Sequence, residues 1–61
     1  MTRRQWGVLG LLARGPLTSF ALAIALDERI TDVATDLNKL SAAGMVEHGE
    51  DGWKLTSKVA A

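Results

Sequence analysis

Sixty-one residues without a cysteine make one domain with one small core, and exclude disulfide frameworks, thiolate chemistry and cysteine-based metal sites. Seven bases balance seven acids, but every acid (Asp27, Glu28, Asp32, Asp36, Glu47, Glu50 and Asp51) lies between positions 27 and 51. Only Arg29 and Lys39 answer them there, for a local charge of −5, while Arg3, Arg4, Arg14, Lys54 and Lys58 flank the stretch. An acidic centre works against phosphate contacts. The longest apolar run, Phe20 to Leu26, is too short to cross a bilayer and no leader-like segment opens the chain, so the expected setting is cytoplasmic, with no membrane partner.

Thr2 is placed to cap a first helix running from about Arg3 to Arg14, ended by Gly15-Pro16. Val8, Leu9 and Leu12 form its core stripe, and Trp6 falls at the stripe's edge, as expected of a core-rim residue. Gly7 and Gly10 each lower helix propensity by roughly 1 kcal/mol relative to alanine, which fits either a close backbone neighbour or a tolerant surface.

Thr18 caps the expected second helix, which runs to about Leu26 before Asp27-Glu28-Arg29 turns the chain. Leu22, Ala23 and Leu26 share one face, and Phe20 and Ile24 lie nearly opposite. A helix apolar on both sides either sits between two neighbours, here the first helix and the C-terminal hairpin, or presents an interface.

The third helix, expected over 31–43, is the most clearly amphipathic. Ile30, Val33, Leu37 and Leu40 fall on one side of the wheel and Thr31, Thr35, Asn38 and Lys39 on the other. Asp32 and Asp36, one turn apart, are expected on a solvated flank, and Gly44 supplies the left-handed stop. Met45 to His48 and Trp53 to Thr56 then read as two strands around Gly49-Glu50-Asp51-Gly52. Pairing His48 with Trp53 sets Val46 against Leu55 and Glu47 against Lys54, apolar with apolar and acid with base, which supports that four-residue loop. Thr56-Ser57-Lys58 can cap one further turn.

The resulting class is α+β, mainly α: three helices and a C-terminal two-stranded hairpin in a single domain, 1–61. Gly15-Pro16-Leu17-Thr18 with Leu22-Ala23 and Leu26, then Val33 to Leu40, Ala43-Gly44-Met45-Val46 and Leu55-Thr56 follow one another at spacings that resemble the winged helix-turn-helix of the ArsR, MarR and PadR transcriptional regulators. The resemblance spans essentially the whole chain. It implies a third helix entering the major groove, a second helix bracing the backbone and a wing touching phosphate or minor groove. Carried over by position, it nominates Thr31, Ala34, Thr35, Asn38 and Lys39 for the groove, and Thr18, Ser19 and Lys54 for the remaining DNA contacts. Asn38 is the candidate base reader, because its amide both donates to and accepts from adenine, and Lys39 the phosphate contact. The chain departs from the pattern where Thr35 and Asp36 stand at positions often basic in those families, in its acidic Glu50-Asp51 wing tip, and in lacking their long dimerisation helices. A dimer is then expected to use the first and second helices, with Trp6, Phe20 and Ile24 as interface residues.

Two functions compete. One is a small DNA-binding regulator or architectural factor acting on double-stranded DNA; the other is a winged-helix module docking on protein through its apolar second helix or acidic centre. An enzyme is not expected: His48 has no cysteine partner and no evident serine and acid, and reads as a strand residue beside Trp53. No cofactor and no metal site are implied.

Overall fold

The computed structural model describes residues 1–60 as three helices, a hairpin and one terminal turn: α1 (Arg3–Leu12), α2 (Ser19–Leu26), α3 (Ile30–Ala42), β1 (Val46–Gly49), β2 (Gly52–Leu55) and α4 (Ser57–Ala60). The architecture is α+β, mainly α, with the two-stranded antiparallel sheet after the three main helices.

Local chemistry sets each boundary. Thr2 and Gln5 form a capping box on α1: Thr2 Oγ1 accepts from the Gln5 amide at 3.1 Å, and Gln5 Oε1 accepts from the Thr2 amide at 2.9 Å. Thr18 caps α2 by accepting from the Ala21 amide at 3.1 Å. The stops of α2 and α3 are Schellman turns. At α3 the Met45 amide donates to Leu40 O and the Gly44 amide to Ser41 O, with Gly44 at φ 76°. At α2 the Glu28 amide donates to Ala23 O and the Asp27 amide to Ile24 O, with Asp27 itself at φ 54°. An aspartate does there what glycine ordinarily does, since its short polar side chain tolerates the left-handed region.

The core joins Val8, Leu9 and Leu12 of α1, Leu22 and Ala23 of α2, Val33, Leu37 and Leu40 of α3, and Val46 of β1. Leu11, Leu17, Leu26, Met45, Trp53 and Leu55 close over it. The hairpin keeps the expected register, Val46 opposite Leu55, Glu47 opposite Lys54 and His48 opposite Trp53. The ladder runs one pair further than expected, to Gly49 and Gly52, so the loop is the two residues Glu50 and Asp51. The positive φ that returns the strand falls on Gly52, at 114°. Leu17, in the α1–α2 connector, makes an antiparallel bridge to Trp53, with Trp53 N donating to Leu17 O at 2.7 Å and Leu17 N to Trp53 O at 3.0 Å. Trp53 thus turns its backbone groups away from β1, which makes His48 and Trp53 a close, non-hydrogen-bonded pair, with ring centroids 5.0 Å apart.

Three placements depart from the sequence expectation. Trp6 is 62% exposed and is no rim residue: the wheel sets it beside Leu9, but among the described residues no other element covers that edge of α1. Ile30 is 45% exposed, because as the first residue of α3 it overhangs the core rather than entering it. Asp36 is buried, at 2% exposure, because α1 supplies partners for its carboxylate.

Candidate functional site

The outer face of α3 is built by periodicity. With Val33, Leu37 and Leu40 directed inward, Thr31, Thr35, Asn38 and Lys39 are all exposed, and Ala34 sits half-buried on one flank. Thr35 donates its hydroxyl to Thr31 O at 3.0 Å, which leaves its oxygen lone pairs able to accept. Ser41 and Ala42 continue the exposed surface. Both lie in the last turn and carry no charge, so the sequence does not single them out.

Of the acids of the same helix, Asp36 is buried on the α1 side, and Asp32, its side chain 46% exposed, stands at the edge of the outer face. The Arg4 guanidinium bonds Asp36 through Nε, with Glu28 at 3.7 Å and Asp32 at 3.8 Å from its Nη1, and Gln5 donates a second, longer bond to Asp36 at 3.4 Å. The hydrogen bond to Asp36 does most to raise the guanidinium's pKa above its ordinary value; desolvation opposes it, and the charges of Asp36, Asp32 and Glu28 add to it. While the carboxylates are ionised, the stability linked to this upward shift is present below the guanidinium's ordinary range and is lost as pH rises through the raised value in strong alkali. One arginine therefore organises three of the seven acids of the central segment on the α1 side of α3. Asp36 is not on a solvated flank, and it does not share the exposed face with Asn38.

The remaining nominated residues are dispersed. Thr18 is exposed, with its hydroxyl oxygen already accepting from Ala21. Ser19 is half-buried, and it and Phe20 stand at the first two positions of α2, where the helix itself cannot engage their amide hydrogens. Lys54 pairs with Glu47 across the hairpin at 3.5 Å, and the turn beyond it holds exposed Glu50 and Asp51, so the hairpin offers no basic surface. Lys58 donates to Ala43 O at 3.2 Å, as a further cap on α3. Among the described residues Arg3, Arg14, Arg29 and Lys39 are exposed with no carboxylate within 4 Å. Arg29, the residue before α3, is the cation the sequence reading left out. Its place two residues before Thr31 is visible in the sequence, but as one of two bases among seven acids it reads there only as part of the acidic segment's charge.

A second surface lies on α2. Phe20 and Ile24 are 63% and 65% exposed, so neither α1 nor the hairpin covers them. With Ile30, Ala23, Asp27 and Glu28 they line a depression of about 490 Å³. Trp6, grouped with them from the sequence, is not among its lining residues. No helix is long and apolar enough to cross a membrane, and the described residues hold no cluster of three or more side chains suited to a metal. No protein-family model, curated protein or solved structure matches the chain.

Proposed function

We propose that this chain is a small DNA-binding protein, a regulator or architectural factor, that lays the outer face of α3 in the major groove of double-stranded DNA. The observation that carries the proposal is the sorting of charge on α3. Its exposed side is Thr31, Thr35, Asn38 and Lys39, while Asp36 is buried against Arg4 and Asp32, at the edge of that side with its side chain 46% exposed, lies 3.8 Å from the same guanidinium. A helix with hydroxyls, an amide and one ammonium outward has the donors and acceptors that base edges require, with its carboxylates answered by an arginine rather than left unpaired towards phosphate. Asn38 reads a base; Lys39 and Arg29 contact phosphate on either side; the amides of Ser19 and Phe20 offer a phosphate the start of α2. The acidic hairpin turn stays clear of the backbone, and Lys54, tied to Glu47, adds little.

With few free cations the affinity is low and salt-sensitive. Two or three neutralised phosphates give a slope of roughly −2 to −3 in log K against log salt. Retention on random double-stranded DNA at low salt, followed by a salt series, tests the proposal; absence of retention at low salt ends it. Asn38→Ala should then reduce discrimination between matched and mismatched sites, by about 1–3 kcal/mol at one base pair, while Lys39→Ala weakens all sequences alike.

The exposed Phe20 and Ile24 favour a second reading, a protein-docking module working through the α2 depression. Its signature is partner binding that persists as salt rises, in a chain that does not retain DNA.

A further inference from the structure

Two unpartnered surfaces on this one chain complement each other. On α1, Arg3, Trp6, Gly10 and Ala13 are exposed, and at about 100° per residue they fall in one sector that borders the buried stripe at Leu9. α1 contains no acidic residue. A Cβ added at Gly10 would meet nothing within 4 Å, so the backbone one turn beyond Trp6 is bare and open to close approach. Nothing inside the domain explains that glycine.

The other surface is concave where this one projects. Phe20, Ile24 and Ile30 supply the apolar walls of the α2–α3 depression, and Asp27 and Glu28 its acidic rim. Glu28 is within 3.7 Å of Arg4, whereas Asp27 has no cation within 4 Å among the described residues. A projecting indole on a basic helix therefore meets, on the same molecule, an apolar hollow edged with carboxylate. The two cannot meet within one copy, because Trp6 does not line the hollow and α1 turns Gly7, not Trp6, towards Leu26 of α2.

We propose that the chain associates with further copies of itself head to tail: Trp6 of one copy seats between Phe20 and Ile24 of the next, with Arg3 facing Asp27 and Gly10 admitting the neighbour's surface. The contact joins two different patches, so each addition leaves one free Trp6 and one free hollow. Growth stops when a ring closes, the smallest being two copies that exchange Trp6 reciprocally, or continues as a filament. A standard stable interface covers about 800 Å² on each partner, roughly a fifth of this chain's 4047 Å². One aromatic stripe covers less, which makes the association transient and dependent on concentration. The assembly rests on no statement about DNA.

Sedimentation equilibrium without DNA, from micromolar to millimolar protein, tests it. The parent's weight-average mass should climb with concentration to that of two chains or beyond. Trp6→Ala and Ile24→Glu should each remain at the monomer's mass. Their equimolar mixture should reach two chains and no more, because the only intact pairing is Trp6 of the Ile24→Glu chain with the hollow of the Trp6→Ala chain. Both positions are more than 60% exposed, so the core is untouched; a parent-like thermal transition qualifies each variant, and Phe20→Lys replaces Ile24→Glu if needed. A parent that stays monomeric at millimolar concentration overturns the proposal. So does association that survives in either single variant, or a mixture that stays monomeric.

Discussion

Gly7 and Gly10 look alike in the sequence and differ in the fold. A Cβ at Gly7 would come within 2.8 Å of Leu26 Cδ2, whereas at Gly10 it would meet open space. Gly10→Ala should therefore raise stability by about 0.5–1 kcal/mol through the helix interior, and Gly7→Ala should recover less or lose, since Leu26 must shift. Paired urea titrations of the two variants measure the difference. Arg4 and Arg3 make a similar contrast. Arg4→Met leaves the buried Asp36 carboxylate with only the long bond from Gln5, while Arg3→Met removes an exposed charge with no carboxylate within 4 Å among the described residues. Thermal melts should show a clear loss of Tm for Arg4→Met and almost none for Arg3→Met. Asp36 is also where sequence reading reached its limit. Its partner lies 32 positions away, and periodicity assigns a face without saying what stands opposite. Trp6 went astray for the same reason, since a wheel gives an angle and not a neighbour.

At the scale of elements, what was legible was what neighbours in sequence decide. Thr2, Thr18 and Gly44 mark helix ends through bonds that reach no more than five residues, and the hairpin register followed from matching Val46 with Leu55 and Glu47 with Lys54. The exposed row on α3 was equally readable, because its core stripe fixes its back. The α2 hollow was only half visible: Phe20 and Ile24 stood out, but Ile30 was assigned to the core and joins them only because Asp27 turns the chain so tightly. The bridge between connector and hairpin left no mark in composition, and its signature is Gly52. There φ is 114°, and a Cβ would lie 2.6 Å from Leu17 O. Gly52→Ala should cost on the order of 1–3 kcal/mol or more in backbone strain and displace the bridge. Chemical denaturation together with loss of the near-ultraviolet signal of Trp53 would register both effects.

For the molecule as a whole, net neutrality conceals a partition. Arg4 gathers Glu28, Asp32 and Asp36 on one side, Lys54 offsets Glu47, and the exposed row of α3 is left with Lys39 beside neutral polar groups. A 61-residue chain with a single small core has little stability to spare, so the same few contacts that shape its surfaces also hold it together. The two bonds between Leu17 and Trp53 carry this into the time domain. They join residues 36 positions apart, and neither amide can reach solvent unless the connector and hairpin separate together. In deuterated buffer the Leu17 and Trp53 amides should consequently exchange as a matched pair, at a rate set by near-global opening rather than by fraying of the hairpin. Their two protection factors would form a clock for a single event, running faster by the same ratio in Gly52→Ala.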